Sequence, residues 1–365
     1  MNSLHKIYLL SLLCVSFLMS AGVERLNVPE GFEIEVYAEN IENPRQMARG
    51  EKFLFVGSRA AGKIHAVDLA DPSKVSILFE NLSMPTGVTM HDGDLYIAEV
   101  NTIKVVRDVE KLIKTKGSLN LETFFDAMPR KKYNTMKQNW HGWKWLAVGP
   151  DGALYFNEGA PCNTCVEADQ RVSTILRLED NELSVYARGV RNSVGFDWHP
   201  ETGQMYFTDN GRDMLGDDIP PCELNRVSFA GEHFGFPFMH GTDVEDPGFK
   251  ATENFNFTPP AWEFGAHTAP LGIEFYSHSQ FPETYHGGLF VVQRGSWNRT
   301  SKVGYKVLYL TLDAGEIINS EVFVEGWLEG EESWGRPAAP HILDDGSLLI
   351  SDDTSNQIFR VSYKG

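Results

Sequence analysis

The feature of this sequence that most constrains its fold is an internal repeat of β-hairpins. Each copy has an apolar segment, a tight turn containing Asp or Gly, and a second apolar segment that ends in polar residues. Apolar segments on both sides of a Gly-containing turn are typical of a hairpin. The six copies occupy residues 46–59, 87–99, 145–158, 195–209, 272–294 and 340–352.

The spacing of the copies predicts an all-β fold, a six-bladed β-propeller of four-stranded antiparallel blades. Copies start roughly 40 to 80 residues apart, which is the length that a four-stranded blade requires. Further strands are expected at 63–67, 173–178, 305–310 and 357–363, the last of them in the final blade. A helical insertion near 109–116 is expected between blades two and three. A two-domain β-sandwich protein is the alternative, which the even spread of hairpins disfavours.

The repeat also predicts which residues meet at one end of the central channel. In such blades, the start of the first hairpin strand and the end of the second lie on the same face of the disc. Polar residues at the strand starts are Arg45, His141, Arg191, Asn192, His267, Thr268 and Arg336, and those at the ends are Arg59, Glu99, Glu158, Asp209 and Arg294. Converging guanidinium groups favour a planar ligand with several carboxylates. Alternatively, the arginines form salt bridges with Glu99, Glu158 and Asp209 at the channel mouth.

Two loops and one aromatic cluster add to this predicted site. The loop at 209–218 carries carboxylates and glycines that suit a hard cation bound through oxygen, although a solvated acidic turn is the alternative. The loop at 293–302 adds three cations and Trp297. The tryptophans around His141, at 140, 143 and 145, either stack on a flat ligand or pack in the core.

Net charge and the N-terminal segment limit the location and partners of the chain. The net charge of −18 over 365 residues argues against binding to nucleic acid. Lys6 precedes an apolar run at 7–19 that ends in small residues, which predicts a signal peptide at 1–22 and a single domain at 23–365. The protein is therefore expected to be periplasmic or secreted, without stable membrane insertion. An uncleaved N-terminal anchor is the alternative.

Three cysteines lie in the expected mature chain, namely Cys162, Cys165 and Cys222. An oxidising compartment permits disulfides, but an odd number leaves one thiol without a partner in the chain. Cys162 and Cys165 are interpreted as a local disulfide or two packed thiols, since neither a haem-attachment histidine nor a second zinc-binding pair is present.

Several motifs resemble the soluble quinoprotein glucose/sorbosone dehydrogenase family. The most specific is ARGVRNSVGFDWHP at 187–200, followed by DNGRD at 209–213. The motifs that resemble the sorbosone dehydrogenase branch are WHGW at 140–143, GAPCNTC at 159–165, GFP at 235–237, GSWNR at 295–299 and GRP at 335–337. Together they cover nearly the whole expected mature chain.

The resemblance implies a propeller that holds pyrroloquinoline quinone and Ca²⁺ and oxidises an aldose or a sugar-derived aldehyde such as sorbosone. It implies that His141 is the general base and that Arg191 stabilises negative charge at the reacting carbonyl. Asn192, Thr268, Arg336 and either Arg294 or Arg299 would contact the cofactor, and the main-chain carbonyls of Gly211 and Arg212 would bind Ca²⁺. Electrons would leave to a separate acceptor, a quinone or a cytochrome.

The departures from the family pattern concern the substrate. Trp140 stands where glucose-oxidising members have an acidic residue, and 84–86 lacks a glutamine that they use near the sugar. Arg212 replaces a proline in the metal-binding turn. These differences disfavour glucose itself. The alternatives are a non-catalytic propeller that binds glycans or proteins and a lactonase-type metallohydrolase, which the basic strand starts disfavour.

Overall fold

The computed structural model describes residues 22–365, which form a ring of six antiparallel sheets, a six-bladed β-propeller. The predicted signal peptide at 1–22 falls almost wholly on residues 1–21, which lie outside the described part. The first strands of neighbouring blades contact one another around the channel, as expected for the innermost strand of each blade. The fold class predicted from the repeat is therefore confirmed.

Each of the six predicted hairpins forms the first two strands of one blade. Blade 1 consists of β2 (Pro44–Arg49), β3 (Phe53–Ser58), β4 (Ile64–Asp68) and β5 (Asp71–Phe79), and blade 2 of β6 (Gly87–His91), β7 (Asp94–Ala98), β8 (Ile103–Val106) and β9 (Glu122–Phe125). Blade 3 consists of β10 (Leu146–Val148), β11 (Leu154–Glu158), β12 (Thr174–Glu179) and β13 (Glu182–Arg188), with β17 (Glu232–His233) added in parallel at its edge.

The other three blades follow the same order along the chain. Blade 4 consists of β14 (Phe196–Trp198), β15 (Met205–Asp209), β16 (Cys222–Arg226) and β20 (Trp262–Phe264), and blade 5 of β21 (Pro270–Phe275), β22 (Leu289–Gln293), β23 (Lys306–Asp313) and β24 (Glu316–Val324). Blade 6 consists of β27 (Pro337–Ile342), β28 (Leu348–Asp352), β29 (Gln357–Tyr363) and the N-terminal strand β1 (Phe32–Glu39). Two small ribbons pair β18 (Met239–His240) with β19 (Val244–Glu245) and β25 (Leu328–Glu329) with β26 (Glu332–Ser333).

Helical segments are few and short in residues 22–365. They are the α-helices α1 (Val109–Thr115) and α2 (Thr135–Asn139) and the 3₁₀ turns Val23–Arg25, Pro129–Lys132 and Glu283–Tyr285. The prediction that the helix near 109–116 separates blades two and three was wrong, because α1 lies between β8 and β9, inside blade 2. None of the described helices is long and apolar enough to cross a bilayer.

The hydrophobic core is divided among the six interfaces between neighbouring blades. Separate clusters of buried side chains fill these interfaces. The channel is bridged by Gln46, whose carboxamide donates to Leu146 O at 2.7 Å and accepts from Leu146 N and Val88 N. This side chain ties the first strands of blades 1, 2 and 3 together.

Candidate active site

A cavity of about 370 Å³ opens at one end of the channel, and it is lined by residues from loops at the ends of the inner strands. Five of the nine residues assigned to the site from the sequence line this cavity: His141, Arg191, Asn192, Gly211 and Arg294. The other four, Thr268, Arg299, Arg336 and Arg212, do not line it. Arg45, Arg59 and the rings of Trp140, Trp143 and Trp297 complete its walls.

His141 is buried, and its backbone adopts the left-handed conformation with a φ of 53°. Its Nδ1 lies 2.9 Å from Ala160 O, so a proton on Nδ1 would donate to this carbonyl. In that tautomer, Nε2 is free to accept a proton. It contacts no hydrogen-bonding partner among the described residues. Burial lowers the pKa of His141 well below its ordinary value of 6.5, and the positive charges of Arg191 and Arg130 lower it further.

A fully buried charge cluster holds the loop that carries His141. Arg130 donates to the carbonyls of Lys137, Gln138 and Trp140 at 2.9–3.1 Å and to those of His141 and Gly159. Its guanidinium also pairs with Glu158, which accepts a bond from Lys144 at 3.4 Å. Burial lowers the pKa of Lys144 to about 8. Sequence analysis missed this cluster, because Arg130 lies in a loop outside the hairpin repeat.

The guanidinium of Arg191 uses all five of its N–H donors within the protein. Nε and Nη2 donate to Asn163 O and Oδ1 at 2.9 Å, and Nη2 also pairs with Asp213 at 3.0 Å. Nη1 donates to Asn210 O at 3.0 Å and to Gly211 O at 2.9 Å. Arg191 therefore presents a fixed positive charge to the cavity rather than a free N–H group.

Main-chain placement of Arg191 and Asn192 depends on a buried carboxylate of β15. Asp209 accepts hydrogen bonds from Arg191 N at 2.7 Å and from Asn192 N at 2.6 Å. Burial raises the pKa of Asp209 to about 6, and these hydrogen bonds oppose the shift. Asp209 therefore binds main-chain N–H groups and does not form the salt bridge with a channel arginine that was the alternative interpretation.

The cysteines at 162 and 165 form a disulfide, and Cys222 is the free, buried cysteine of the described chain. Asn163 lies between the bonded cysteines. In addition to its bonds to Arg191, it accepts from Asp213 N at 2.9 Å and donates to Asp213 O at 3.0 Å. The disulfide loop therefore connects Arg191 to the 210–213 turn.

A cluster of arginines makes the opposite wall of the cavity strongly cationic. Asp353 pairs with Arg45 at 2.5 Å and with Arg294 through two bonds of 3.0 Å. Burial raises the pKa of Asp353, but Arg45 and Arg294 outweigh that effect and hold it at about 2. The Arg59 guanidinium lies 4.4 Å above the Trp143 ring and forms no ion pair within residues 22–365. Three guanidinium groups thus face a single carboxylate.

Two residues that line the cavity carry unpaired polar atoms, a donor in the arginine cluster and an acceptor beside Arg191. Arg45 Nε and Asn192 Oδ1 are buried without a hydrogen-bond partner in the described chain. Buried polar groups almost always have a partner, so these atoms indicate contacts that the protein alone does not supply. A flat anion with several carboxylates, as pyrroloquinoline quinone is, matches the excess of positive charge.

The residues assigned to Ca²⁺ do not form a calcium site by themselves. The Gly211 carbonyl accepts from the Arg191 guanidinium, and the Arg212 side chain pairs with Asp246. Ca²⁺ takes about six to eight oxygen ligands, and two carbonyls supply too few. Across residues 22–365, no group of three or more His, Cys, Asp or Glu side chains is arranged to hold a metal.

The remaining cofactor-binding assignments fall outside the cavity. Arg336 donates to Tyr305 Oη at 2.8 Å and to Ser296 O at 3.3 Å. It therefore supports the 293–304 loop and does not line the cavity. Arg299 binds Asp217 O and Asp218, and together with Thr268 it lines a neighbouring cavity. The repeat register placed Thr268 and Arg336 at strand starts, and the family resemblance suggested Arg299, but neither could specify the direction of the side chains.

Comparisons with known proteins agree with this geometry. Residues 98–299, more than half of the chain, match the family model described as Glucose / Sorbosone dehydrogenase, and residues 250–364 match a model described as TrAA12-like. An uncharacterized protein of Borreliella burgdorferi is 36% identical over 352 residues, covering 93% of this chain and 91% of that protein.

Solved structures show the same fold at low sequence identity. The calcium structure of a Trichoderma reesei family AA12 enzyme has a TM-score of 0.75 at 18% identity, covering 93% of this chain and 97% of that one. The PQQ domain of a pyranose dehydrogenase from Coprinopsis cinerea has a TM-score of 0.72 at 18% identity, covering 92% of this chain and 97% of that one. The PQQ-bound aldose sugar dehydrogenase of Streptomyces coelicolor has a TM-score of 0.64 at 19% identity, covering 92% of this chain and 99% of that one.

Proposed function

Because the chain belongs to the glucose/sorbosone dehydrogenase family, we propose that it is a quinone-dependent dehydrogenase of sugars or sugar-derived aldehydes. The observation that carries the proposal is the cavity itself, which is lined both by a neutral, buried His141 and by an arginine cluster with an excess of positive charge. An oxidoreductase of this type needs both a proton acceptor and a site for an anionic redox cofactor.

The residues present fit pyrroloquinoline quinone. Arg45, Arg59 and Arg294 would hold its carboxylates, and Asn192 would offer its unpaired Oδ1. When bound, the quinone supplies the acceptor for the hydride of the substrate. A requirement for Ca²⁺ is part of the proposal, although the carbonyls of Gly211 and Arg212 alone supply too few ligands for the ion.

In this proposal the chain's own residues prepare the substrate for oxidation. His141 Nε2 takes the proton of the substrate hydroxyl while Nδ1–H stays bonded to Ala160 O. The fixed charges of Arg191 and Arg130 keep the imidazole neutral beforehand. Because the N–H groups of Arg191 are all engaged, its contribution to the reaction is the electrostatic attraction of its charge for a developing alkoxide.

The substrate class proposed is an aldose other than glucose or a sugar aldehyde. Two indole rings stand at the cavity rim, with Trp140 exposed by 42% and Trp297 by 67%. Exposed aromatic faces beside polar groups suit the apolar face of a sugar ring. We also propose that a separate quinone or cytochrome receives the electrons and that the protein is periplasmic or secreted.

The experiment that tests the function is dye-linked oxidation of aldoses and aldehydes by the purified protein. The assay is run without additions, with the quinone, with Ca²⁺ and with both. We expect turnover only when the quinone is added. Comparing the quinone arms with and without Ca²⁺ shows whether the metal is required. No turnover in any arm, together with no retained quinone absorbance after desalting, would favour a non-catalytic binding propeller.

The variant His141→Ala tests the assignment of the base. We expect turnover to fall by roughly 100- to 10,000-fold because the proton acceptor is lost, while the quinone absorbance titration stays unchanged. His91→Ala, at a half-exposed position on blade 2, is the matched control and should behave as wild type. Full turnover by His141→Ala would rule out this mechanism.

A further inference from the structure

A second cavity, of about 540 Å³, lies between blades 4 and 5 beside the candidate active site. Strand β20 of blade 4 forms one wall, and β23 and β24 of blade 5 form the other. Its lining includes Thr268 and Arg299, two of the five residues that the sequence predicts to bind the cofactor. A volume of this size lies within the usual range of small-molecule sites.

The floor of the second cavity contains a buried side chain without a partner. Side chains alternate along β22, so Gln293 faces the same way as Leu289 and Val291, whose side chains pack in the core between blades 4 and 5. Gln293 is only 2% exposed, and its Oε1 has no hydrogen-bond partner among the described residues. A buried carbonyl oxygen of this kind is expected to accept a bond from a ligand or an ordered water molecule.

The charged groups around the second cavity have a slight excess of negative charge, in contrast to the cationic lining of the candidate active site. The cations Arg299 and Lys306 face the anions Asp218, Glu263 and Glu321. Such a lining offers no net attraction to a tricarboxylate quinone but many hydrogen-bonding groups.

An aromatic wall and one further unpaired donor complete the lining. Trp262 is half-buried, packed on the core with part of its surface in the cavity. Arg299 Nε is buried without a partner within residues 22–365. We propose that the second cavity binds a neutral, polyhydroxylated compound of the size of a mono- or disaccharide, stacked on Trp262 and hydrogen-bonded to Gln293.

The two cavities are separated by a wall only one main chain thick. Gln293 lines the second cavity and its neighbour Arg294 lines the first. Across the wall, Gly295 N donates to Thr268 O at 3.0 Å. Gly304, with a φ of 86°, packs so closely that a Cβ atom there would lie 2.7 Å from Thr268 O. Any binding measurement must therefore separate the two cavities by variants on each side of this wall.

The test uses the purified protein without added quinone and three sugars that lack an oxidisable aldehyde: trehalose, sucrose and methyl α-glucopyranoside. Binding is measured by saturation-transfer NMR and by titration. We expect at least one sugar to bind saturably and its affinity to fall about tenfold or more in Gln293→Leu and Trp262→Ala. Trp297→Ala, in the wall of the first cavity, reports any binding there. The matched control is Phe229→Ala, at a 68% exposed aromatic residue that lines neither cavity, which should bind as wild type.

Thermal denaturation of the variants separates a loss of sugar binding from a loss of folding. Gln293→Leu removes an unpaired buried amide, so we expect its thermal midpoint to equal or exceed that of wild type. Wild-type affinity in both Gln293→Leu and Trp262→Ala, or a loss of affinity confined to Trp297→Ala, would overturn the assignment. So would the absence of saturable binding by all three sugars, which indicates a cavity that holds only water. No turnover is measured, so this test can fail or succeed independently of the dehydrogenase proposal.

Discussion

At the scale of single residues, the environment of His141 determines the pH range in which it can act as a base. Its pKa is lowered by burial first and by Arg191 and Arg130 second. The neutral imidazole is the active form, so protonation on acidification removes the base. Because the pKa is lowered, the neutral form persists below pH 6.5. We therefore expect the acid limb of kcat/KM to lie below about pH 6.5.

The measurement is the pH profile of kcat/KM for wild type and His91→Ala, from about pH 4 to about pH 8. An unchanged acid limb in the control variant would show that the exposed histidine does not contribute. An acid limb at or above the ordinary histidine value in both proteins would contradict the assignment of a desolvated base.

Arg130 positions this base through the main chain. Arg130→Lys retains a positive charge beside Glu158 but cannot reproduce a planar fork that serves five carbonyls. We expect kcat to fall by about tenfold or more and the free energy of unfolding by about 2–4 kcal/mol, because buried carbonyls lose their donors. The acid limb should move little, since the charge remains.

The matched control for this variant is Arg177→Lys, at an exposed ion pair on blade 3. Urea denaturation, kcat and the pH profile are compared for the two variants. A purely structural role for Arg130 would lower stability without changing the kcat of the folded protein, and that outcome would contradict a positioning role.

At the scale of elements, the disulfide loop between Cys162 and Cys165 orients Arg191. The side chain of Asn163 makes three hydrogen bonds to Arg191 and to the main chain of Asp213. We expect Asn163→Ala to lower kcat by about tenfold, because Arg191 loses one of its anchors, and to leave quinone affinity nearly unchanged. Steady-state kinetics and quinone titration check this.

Thr164→Ala is the control, since its side chain forms no hydrogen bond to another residue of the described chain and lies inside the same disulfide loop. Replacing both cysteines by serine should reproduce the direction of the Asn163→Ala effect. If Thr164→Ala and Asn163→Ala change kcat equally, the loop acts as a general support and not through Asn163.

The hairpins could be predicted from the sequence because their determinants are local. Turn residues and apolar side chains lie within about fifteen residues of each other in five of the six copies. The pairing of β1 with β29 joins opposite ends of the chain and leaves no such local pattern. The misplaced helix α1 has the same cause, since only tertiary pairing shows that β9 returns to blade 2.

The candidate site was predictable to the extent that the repeat register determines it. Register identified the residues at the mouth of the channel, including His141, Arg191 and Arg294. It could not distinguish Arg294 from Arg299, because the path of the 293–304 loop depends on contacts with Thr268 and Tyr305. Arg130 gave no signal at all, since its role depends on the folded path of a non-repeating loop.

At the scale of the whole molecule, the cofactor wall is assembled from blades that are distant in sequence. Arg45 belongs to blade 1, Arg294 follows the second strand of blade 5, and Asp353 follows that of blade 6. The pairing of Arg45 with Asp353 crosses the junction between the first and last blades. Closure of the ring is therefore a condition for the cationic wall, and closure depends on β1 completing blade 6.

Phe32, the first residue of β1, is the position that tests closure. It is 8% exposed and packs edge-on against Phe281, Tyr285, Phe323 and Tyr363. We expect Phe32→Ala to lower the free energy of unfolding by about 3–5 kcal/mol, from lost burial and the cavity left behind. Phe229→Ala, at a 68% exposed phenylalanine, should change it by less than about 0.5 kcal/mol.

Urea denaturation of the two variants, with and without quinone, makes the comparison. Because the quinone would bind only the closed ring, we expect it to raise the unfolding midpoints of both wild type and Phe32→Ala. Equal stability of the two variants would show that β1 is dispensable for closure. A loss of quinone binding at temperatures where Phe32→Ala remains folded would instead show that the ring opens locally at the junction of blades 1 and 6.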